Sequence, residues 1–146
     1  MGASKYNITA DQGSTFELYI EYQTSGSTAI NLDAYTARMQ VRPSYTSSNI
    51  VLNFTGNTAY SALTGGGSTG YYASGTTGVV GTGGITLNAS TAGVVGTTGG
   101  IYISSDAVAM QNVLPGEHRY DLELVTGTTV VRILEGMFDV QPEVTK

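Results

Sequence analysis

The sequence predicts an all-β fold. It reads as a β-sandwich, immunoglobulin-like in a loose sense, of about seven or eight strands with one short helix and a long Gly-rich insertion. Two observations carry that prediction. Apolar and polar residues alternate with period two through 16–22, 35–42 and 118–124, the pattern of strands with one buried face. Gly, Pro, Asp and Ser clusters separate such runs at short intervals, as hairpin turns do. The length of 146 residues suits a single domain over 1–146 with a core of useful size.

Residues 4–10 are expected as a first strand or an extended arm, and Asp11-Gln12-Gly13 as a turn. In the second strand, 14–23, Phe16, Leu18 and Ile20 should face the core, with Thr15, Glu17, Tyr19 and Glu21 opposite. Ser25-Gly26-Ser27 turns the chain, and Ile30 and Leu32 form a short apolar pair. In the third strand, 35–42, Tyr35, Ala37, Met39 and Val41 point one way, and Thr36, Arg38, Gln40 and Arg42 the other. Pro43 ends it or leaves it at a sheet edge, because proline cannot donate to a ladder. Residues 50–54 give a fourth, short strand with Ile50, Leu52 and Phe54 on one face.

The chain then changes character. No Asp, Glu, Lys or Arg occurs from Pro43 to Ser105, and 13 of the 20 glycines lie between Gly65 and Gly100. The insertion is placed at 56–100. It holds a weak repeat, with Gly78-Val79-Val80-Gly81 ahead of Ile85-Thr86-Leu87 and Gly93-Val94-Val95-Gly96 ahead of Ile101-Tyr102-Ile103. Two copies are too few for a solenoid. A long flexible Gly/Ser/Thr loop is one reading. The favoured one makes 85–87 and 101–103 core strands, with the Gly-rich ground between them projecting onto another subunit, since long structureless loops are uncommon without a job.

Ser104-Ser105-Asp106 before an Ala-bearing segment is an N-cap signature and predicts a helix of two turns over 107–113. Leu114-Pro115-Gly116 closes it, with Pro-Gly suited to the centre of a type II turn. A final hairpin follows. His118, Tyr120, Leu122 and Leu124 share one face, and Arg119, Asp121 and Glu123 the other. Thr126-Gly127-Thr128 makes the turn, and Pro142 stops the last strand.

Composition excludes several functions. Without cysteine there is no disulfide framework and no thiolate metal site. No apolar run approaches the length of a transmembrane helix. The N-terminus lacks a signal-peptide core, and Tyr6 stands where a myristoylation motif wants Ser or Thr. Charged residues are 12 % against the ~25 % usual for soluble domains, and the net charge is −5. An acidic, charge-poor chain is not built to bind nucleic acid or an anionic membrane.

No catalytic constellation is visible, so the chain is expected not to be an enzyme and to need no cofactor or metal. His118 is the only histidine and has no partner for a triad or a multi-His site, so a structural role is expected. Asp121 and Glu123 could do acid–base work or hold calcium, but beside Arg119 they fit a solvated, charge-balanced surface. The Gly-Gly clusters lack the Lys of a phosphate loop and the helix of a dinucleotide fingerprint. Asn7-Ile8-Thr9, Asn53-Phe54-Thr55 and Asn88-Ala89-Ser90 match the glycosylation triplet, which means little without a secretory signal. Tyrosine offers contact area at low entropy cost, so Tyr45, Tyr60, Tyr71, Tyr72 and Tyr102 are the interface candidates.

Both ends of the chain resemble small structural proteins of tailed bacteriophages. The resemblance rests on Gln12-Gly13-Ser14-Thr15-Phe16 and Ile30-Asn31-Leu32-Asp33-Ala34-Tyr35-Thr36-Ala37-Arg38-Met39-Gln40-Val41-Arg42. It continues in Leu114-Pro115-Gly116-Glu117-His118-Arg119-Tyr120-Asp121-Leu122-Glu123-Leu124, Arg132-Ile133-Leu134-Glu135-Gly136 and Pro142-Glu143-Val144-Thr145. The pattern is similar to the N-terminal β-sandwich of siphophage baseplate upper proteins and to small proteins of cyanobacterial myophages. It covers about half the chain and departs from it at Asp33-Ala34 and in the uncharged middle. The resemblance implies a non-enzymatic virion component of tail or baseplate, assembled in the host cytoplasm. It would work with other phage structural proteins as a homo-oligomer or symmetric assembly. A capsid decoration protein, or a carbohydrate- or host-binding module using the tyrosines, are the alternatives.

Overall fold

The computed structural model describes residues 3–23, 26, 28–47, 51–57, 68–70, 83–89, 98–111 and 113–144. Among these residues, ten strands and one helix run in the order β1 (Ser4–Lys5), β2 (Ile8–Asp11), β3 (Phe16–Glu21), β4 (Thr36–Arg42), β5 (Leu52–Asn57), β6 (Ser68–Gly70), β7 (Gly83–Leu87), β8 (Gly100–Ser105), α1 (Ala107–Gln111), β9 (Gly116–Thr126) and β10 (Thr129–Gln141). The all-β sandwich is what the alternation dictates. The strands join in one hydrogen-bonded path, β1-β10-β9-β4-β5-β7-β8-β3, with β2 also on β10 and β6 on β5.

That path folds over on itself. Phe16 of β3 packs on Phe54 of β5 at 6.2 Å and edge-on against Phe138 of β10 at 5.3 Å between ring centroids, although these strands lie far apart along it. One layer is therefore β1 and β2, β10, β9, β4 and β5, and the other is β7, β8 and β3. The fold-over falls at β5 and β7, which pair in parallel only through Gly56 with Ile85 and Asn57 with Thr86. Ala37, Met39 and Val41 of β4, Leu52 and Phe54 of β5, and Tyr120, Leu122 and Leu124 of β9 fill the interior from one side. Ile85, Leu87, Ile101 and Ile103 fill it from the other.

The residues expected as core strands in the Gly-rich region, 85–87 and 101–103, are those of β7 and β8. Every described residue of β8 is buried, on both faces. Of the rest of that region, only 56–57, 88–89, 98–99 and β6, which the sequence did not announce, are among the described residues; the remainder of the ground expected to project lies outside them. Ile50 lies outside them as well. Pro43 ends β4 and does not mark an edge, because β4 sits between β9 and β5.

The helix is shorter than two turns and ends at Gln111. Its Met110 and the following Val113 are fully buried and close one end of the core. Gln12 clasps this end: its Nε2 donates to the carbonyls of Gln111 (3.3 Å) and Val113 (3.0 Å), and its Oε1 accepts from the Glu143 N–H (3.1 Å). The chain bends at Val113 and Pro115, and Gly116 (φ 124°) opens β9 directly.

The hairpin of β9 and β10 turns through Gly127 and Thr128. Gly127 takes a positive φ of 57°, and glycine in the first position of a two-residue loop suits strand twist. A bulge between Arg132 and Leu134 inserts Ile133 as an extra residue. Val131 then opposes Leu124 and Leu134 opposes Leu122, so an odd and an even residue reach the same face. Without the bulge, every later side chain of β10 would change face, and Phe138 and Val140 would leave the core.

Candidate interaction surfaces

Strand register turns the polar positions of β4, β9 and β10 into rows across the outer face of the first layer. Arg38 opposes Glu123, which opposes Arg132. Gln40 opposes Asp121, which opposes Glu135, and Glu135 opposes Lys5. These two rows neutralise each other. Arg38 Nε donates to Glu123 Oε1 at 2.7 Å, Arg132 reaches Asp121 Oδ2 at 3.2 Å and Glu123 Oε2 at 3.7 Å, and Lys5 pairs with Glu135. Burial, then the Glu123 charge, raises the Asp121 carboxyl above its ordinary value, while the Lys5 hydrogen bond lowers Glu135. The expected charge-balanced surface at Asp121 and Glu123 is what these rows make. Arg119 stands outside the network.

The next row breaks the balance. Arg42 lies directly opposite Arg119. Arg42 gives Nε and Nη2 to Gln40 Oε1 (3.2 and 2.7 Å) and Nη1 to the Ser47 carbonyl (2.8 Å). The Arg119 guanidinium sits 5.6 Å from the Tyr45 ring centroid, within cation–π range. Among the described residues neither arginine meets a carboxylate within ion-pair distance. Gln40, Arg42, Ser44, Tyr45, Arg119 and Asp121 line a shallow hollow of about 130 Å³ there. One row further, Glu117 opposes Asp139, whose carboxylate accepts from Gln141 Nε2 at 2.9 Å.

A second feature lies where the two layers fail to join. Among the described residues, β2 bonds only β10, and β3 bonds only β8. The Tyr6 and Gln12 N–H groups donate to Glu135 and Gln141 carbonyls, and the Tyr22 N–H to Gly99. Alternation then turns the backbone polar groups of Asn7 and Thr9 on one lip, and of Glu17, Tyr19 and Glu21 on the other, away from their own partners. Residues 6–11 and 14–18 flank a cleft of about 230 Å³ between these lips. Tyr120 pins the first lip, its hydroxyl donating to the Tyr6 carbonyl at 2.6 Å.

Of the sequence-nominated tyrosines, Tyr45 is exposed (68 %) and stands over Arg119. Tyr102 corrects its nomination: at 1 % exposure its ring packs with Ala89 and Tyr19 inside the chain, because the face of β8 opposite Ile101 and Ile103 is covered too. Tyr60, Tyr71 and Tyr72 lie outside the described residues. His118 is buried with Nδ1 3.3 Å from the Phe138 carbonyl oxygen, a structural position. Asn88 is buried with its amide fully engaged, so the triplet at 88–90 offers no free acceptor nitrogen in the fold. Among the described residues, no group of three or more His, Asp or Glu could hold a metal ion, and no helix is long and apolar enough to cross a membrane. Neither the arginine opposition nor the open lips could be found from sequence, since both depend on which strands pair.

Tyr102 donates its hydroxyl to Glu17 Oε2 at 2.5 Å, and burial, then that bond and the Glu17 charge, push the phenol up to about 12. The unfolded phenol ionises near 10. The contribution to stability is therefore full below pH 10 and is lost as pH rises toward 12. Tyr102→Phe is expected to flatten the fall of stability over that window, read by denaturant unfolding at stepped alkaline pH. An unchanged slope would contradict the burial of this hydroxyl.

Compared with known proteins, the chain matches no protein-family model and no curated sequence.

Proposed function

We propose that the chain is a non-enzymatic structural subunit of a tailed-phage virion, a component or adaptor of tail or baseplate that works by contacts with neighbouring subunits. The observation that carries this reading is the open seam between β2 and β3. Two sheet edges with outward backbone donors and acceptors flank one cleft, and edges of this kind take a strand from another chain. The resemblance of both chain ends to phage structural proteins supplies the setting.

Thr9→Pro tests the seam. The Thr9 N–H points away from β10, and proline is tolerated on a strand edge where its missing donor bonds nothing. The variant is expected to fold with a melting temperature close to wild type and to fail to enter particles. Wild-type incorporation by a folded Thr9→Pro chain would remove the seam as a joint. The setting is tested by counting this chain against the major capsid protein in purified virions by quantitative mass spectrometry. A small symmetric copy number supports tail or baseplate, a capsid-scale number supports decoration, and absence from particles overturns the reading.

A further inference from the structure

We propose that a second copy of this chain docks on the outer face of β4, β9 and β10, with the Arg42–Arg119 row of each copy seated on the Glu117–Asp139 row of the other. This deepens the assembly reading, on which it rests, and names the partner for a face separate from the seam.

The inference starts from like charges placed in opposition. Arg42 faces Arg119 across β4 and β9, and Glu117 faces Asp139 across β9 and β10. Such pairs destabilise a sheet that stands alone. The rest of the face avoids this cost, since Arg38, Glu123, Arg132, Asp121, Glu135 and Lys5 form one connected set of ion pairs. Among the described residues of this face, only the last two rows make no ion pair, one carrying two positive charges and the other two negative.

Those rows are neighbours. Glu117 and Arg119 are two apart on one strand, so they share a face about 7 Å apart. A two-fold axis between the rows would set each cationic row on the acidic row of the other copy. A two-fold interface needs this self-complementarity, in which residue i meets j and j meets i. The hollow beside Tyr45 gives an incoming carboxylate a floor of two guanidinium groups. Arginine can hold a carboxylate through two parallel hydrogen bonds, and the Arg42 donors now on a neutral Gln40 amide could be exchanged for a charged acceptor. The chain carries a net charge of −5, so two copies repel at long range. A local cationic row supplies attraction against that repulsion.

The test is sedimentation velocity of the full chain across concentration at low and high salt. A monomer–dimer equilibrium that weakens with salt is expected. Arg119→Glu alone and Glu117→Arg alone should each weaken the dimer by about tenfold or more, since each sets like charges across the interface. The double variant with both exchanges restores complementarity and should recover most of the dimer. Mixing the two single variants should rescue as well, because every exchanged position then faces an opposite charge on the other variant, whereas each variant alone sets like charges at both contacts. Circular dichroism and melting show that every variant is folded.

A wild-type chain that stays monomeric at low salt overturns the proposal, as does a dimer indifferent to both single exchanges. A monomer that binds a Glu-rich peptide through Arg42 and Arg119 also overturns it and assigns the row to a different chain. Any of these leaves the assembly reading to its own test, because Thr9→Pro and particle counting address a different edge.

Discussion

Gly56→Ala is expected to cost about 3 kcal/mol or more, a large part of the roughly 5–15 kcal/mol that holds a domain of this size. A Cβ on Gly56 would fall far inside 3.0 Å of the Ile85 carbonyl oxygen and also meets Ile85 Cα at 3.1 Å. Both neighbours are backbone, so no side chain can swing aside. The glycine φ is not the issue here; the need is close approach. Gly56 pairs with Ala37 on one side and Ile85 on the other, at the point where the first layer passes into the second. Relief requires β5 and β7 to separate, which breaks their two-residue parallel contact and opens the interior at Ile85. Gly136→Ala is the control. Its Cβ would meet the Tyr6 carbonyl, also backbone, but at the edge of the first layer, away from the passage between the layers. Urea unfolding should place Gly56→Ala well below Gly136→Ala in midpoint. Equal midpoints would mean that the β5–β7 passage is not where the two layers are joined.

That passage shows what the sequence could and could not disclose. The alternation in 35–42 and 118–124 marked β4 and β9, because a strand with one buried face writes its own period. The triplets 85–87 and 101–103 marked β7 and β8, because apolar β-branched residues among glycines have few other uses. The pairing of Gly56 with Ile85 left no mark, since contact between residues distant in sequence has no local signature. The Ile133 bulge is likewise silent, with neither glycine nor proline at the site. Tyr102 misled because alternation shows that it opposes Ile101 and Ile103 without showing that the second face is covered as well. For the candidate site, the types were legible and the geometry was not: Arg42, Arg119 and Glu117 were plainly polar-face residues, and only strand register opposes like charges.

Asn88→Ala is expected to be as damaging as Gly56→Ala, for a different reason. Asn88 holds φ at 53°, the one described non-glycine residue in that region, and asparagine tolerates it better than alanine does. Its amide is saturated. Oδ1 accepts from the N–H groups of Leu32 (3.0 Å) and Gly99 (3.1 Å), and Nδ2 donates to Asn31 Oδ1 (2.9 Å) and Asp33 Oδ1 (3.0 Å). One side chain thus ties the end of β7 to the segment before β4 and to the start of β8. Alanine leaves two buried backbone donors without an acceptor, at about 1–3 kcal/mol each, and adds about 1–2 kcal/mol of backbone strain. Asn88→Gly relieves the strain alone, so it should recover about 1 kcal/mol and no more. Asn88→Asp separates the two halves of the amide. The introduced carboxylate still accepts from Leu32 and Gly99, but its second oxygen faces Asn31 Oδ1 and the Asp33 carboxylate. That repulsion raises the folded-state pKa of the acidic pair, so the aspartate variant should gain stability as pH falls through that value. Urea midpoints at neutral and mildly acidic pH separate the cases: Gly above Ala at both, and Asp rising relative to Gly on acidification. If Ala and Gly unfold together near wild type, the amide does not bind these three segments. The 88–99 contact would then be carried by the backbone bonds from Ala89 to Gly100 and from Tyr22 to Gly99.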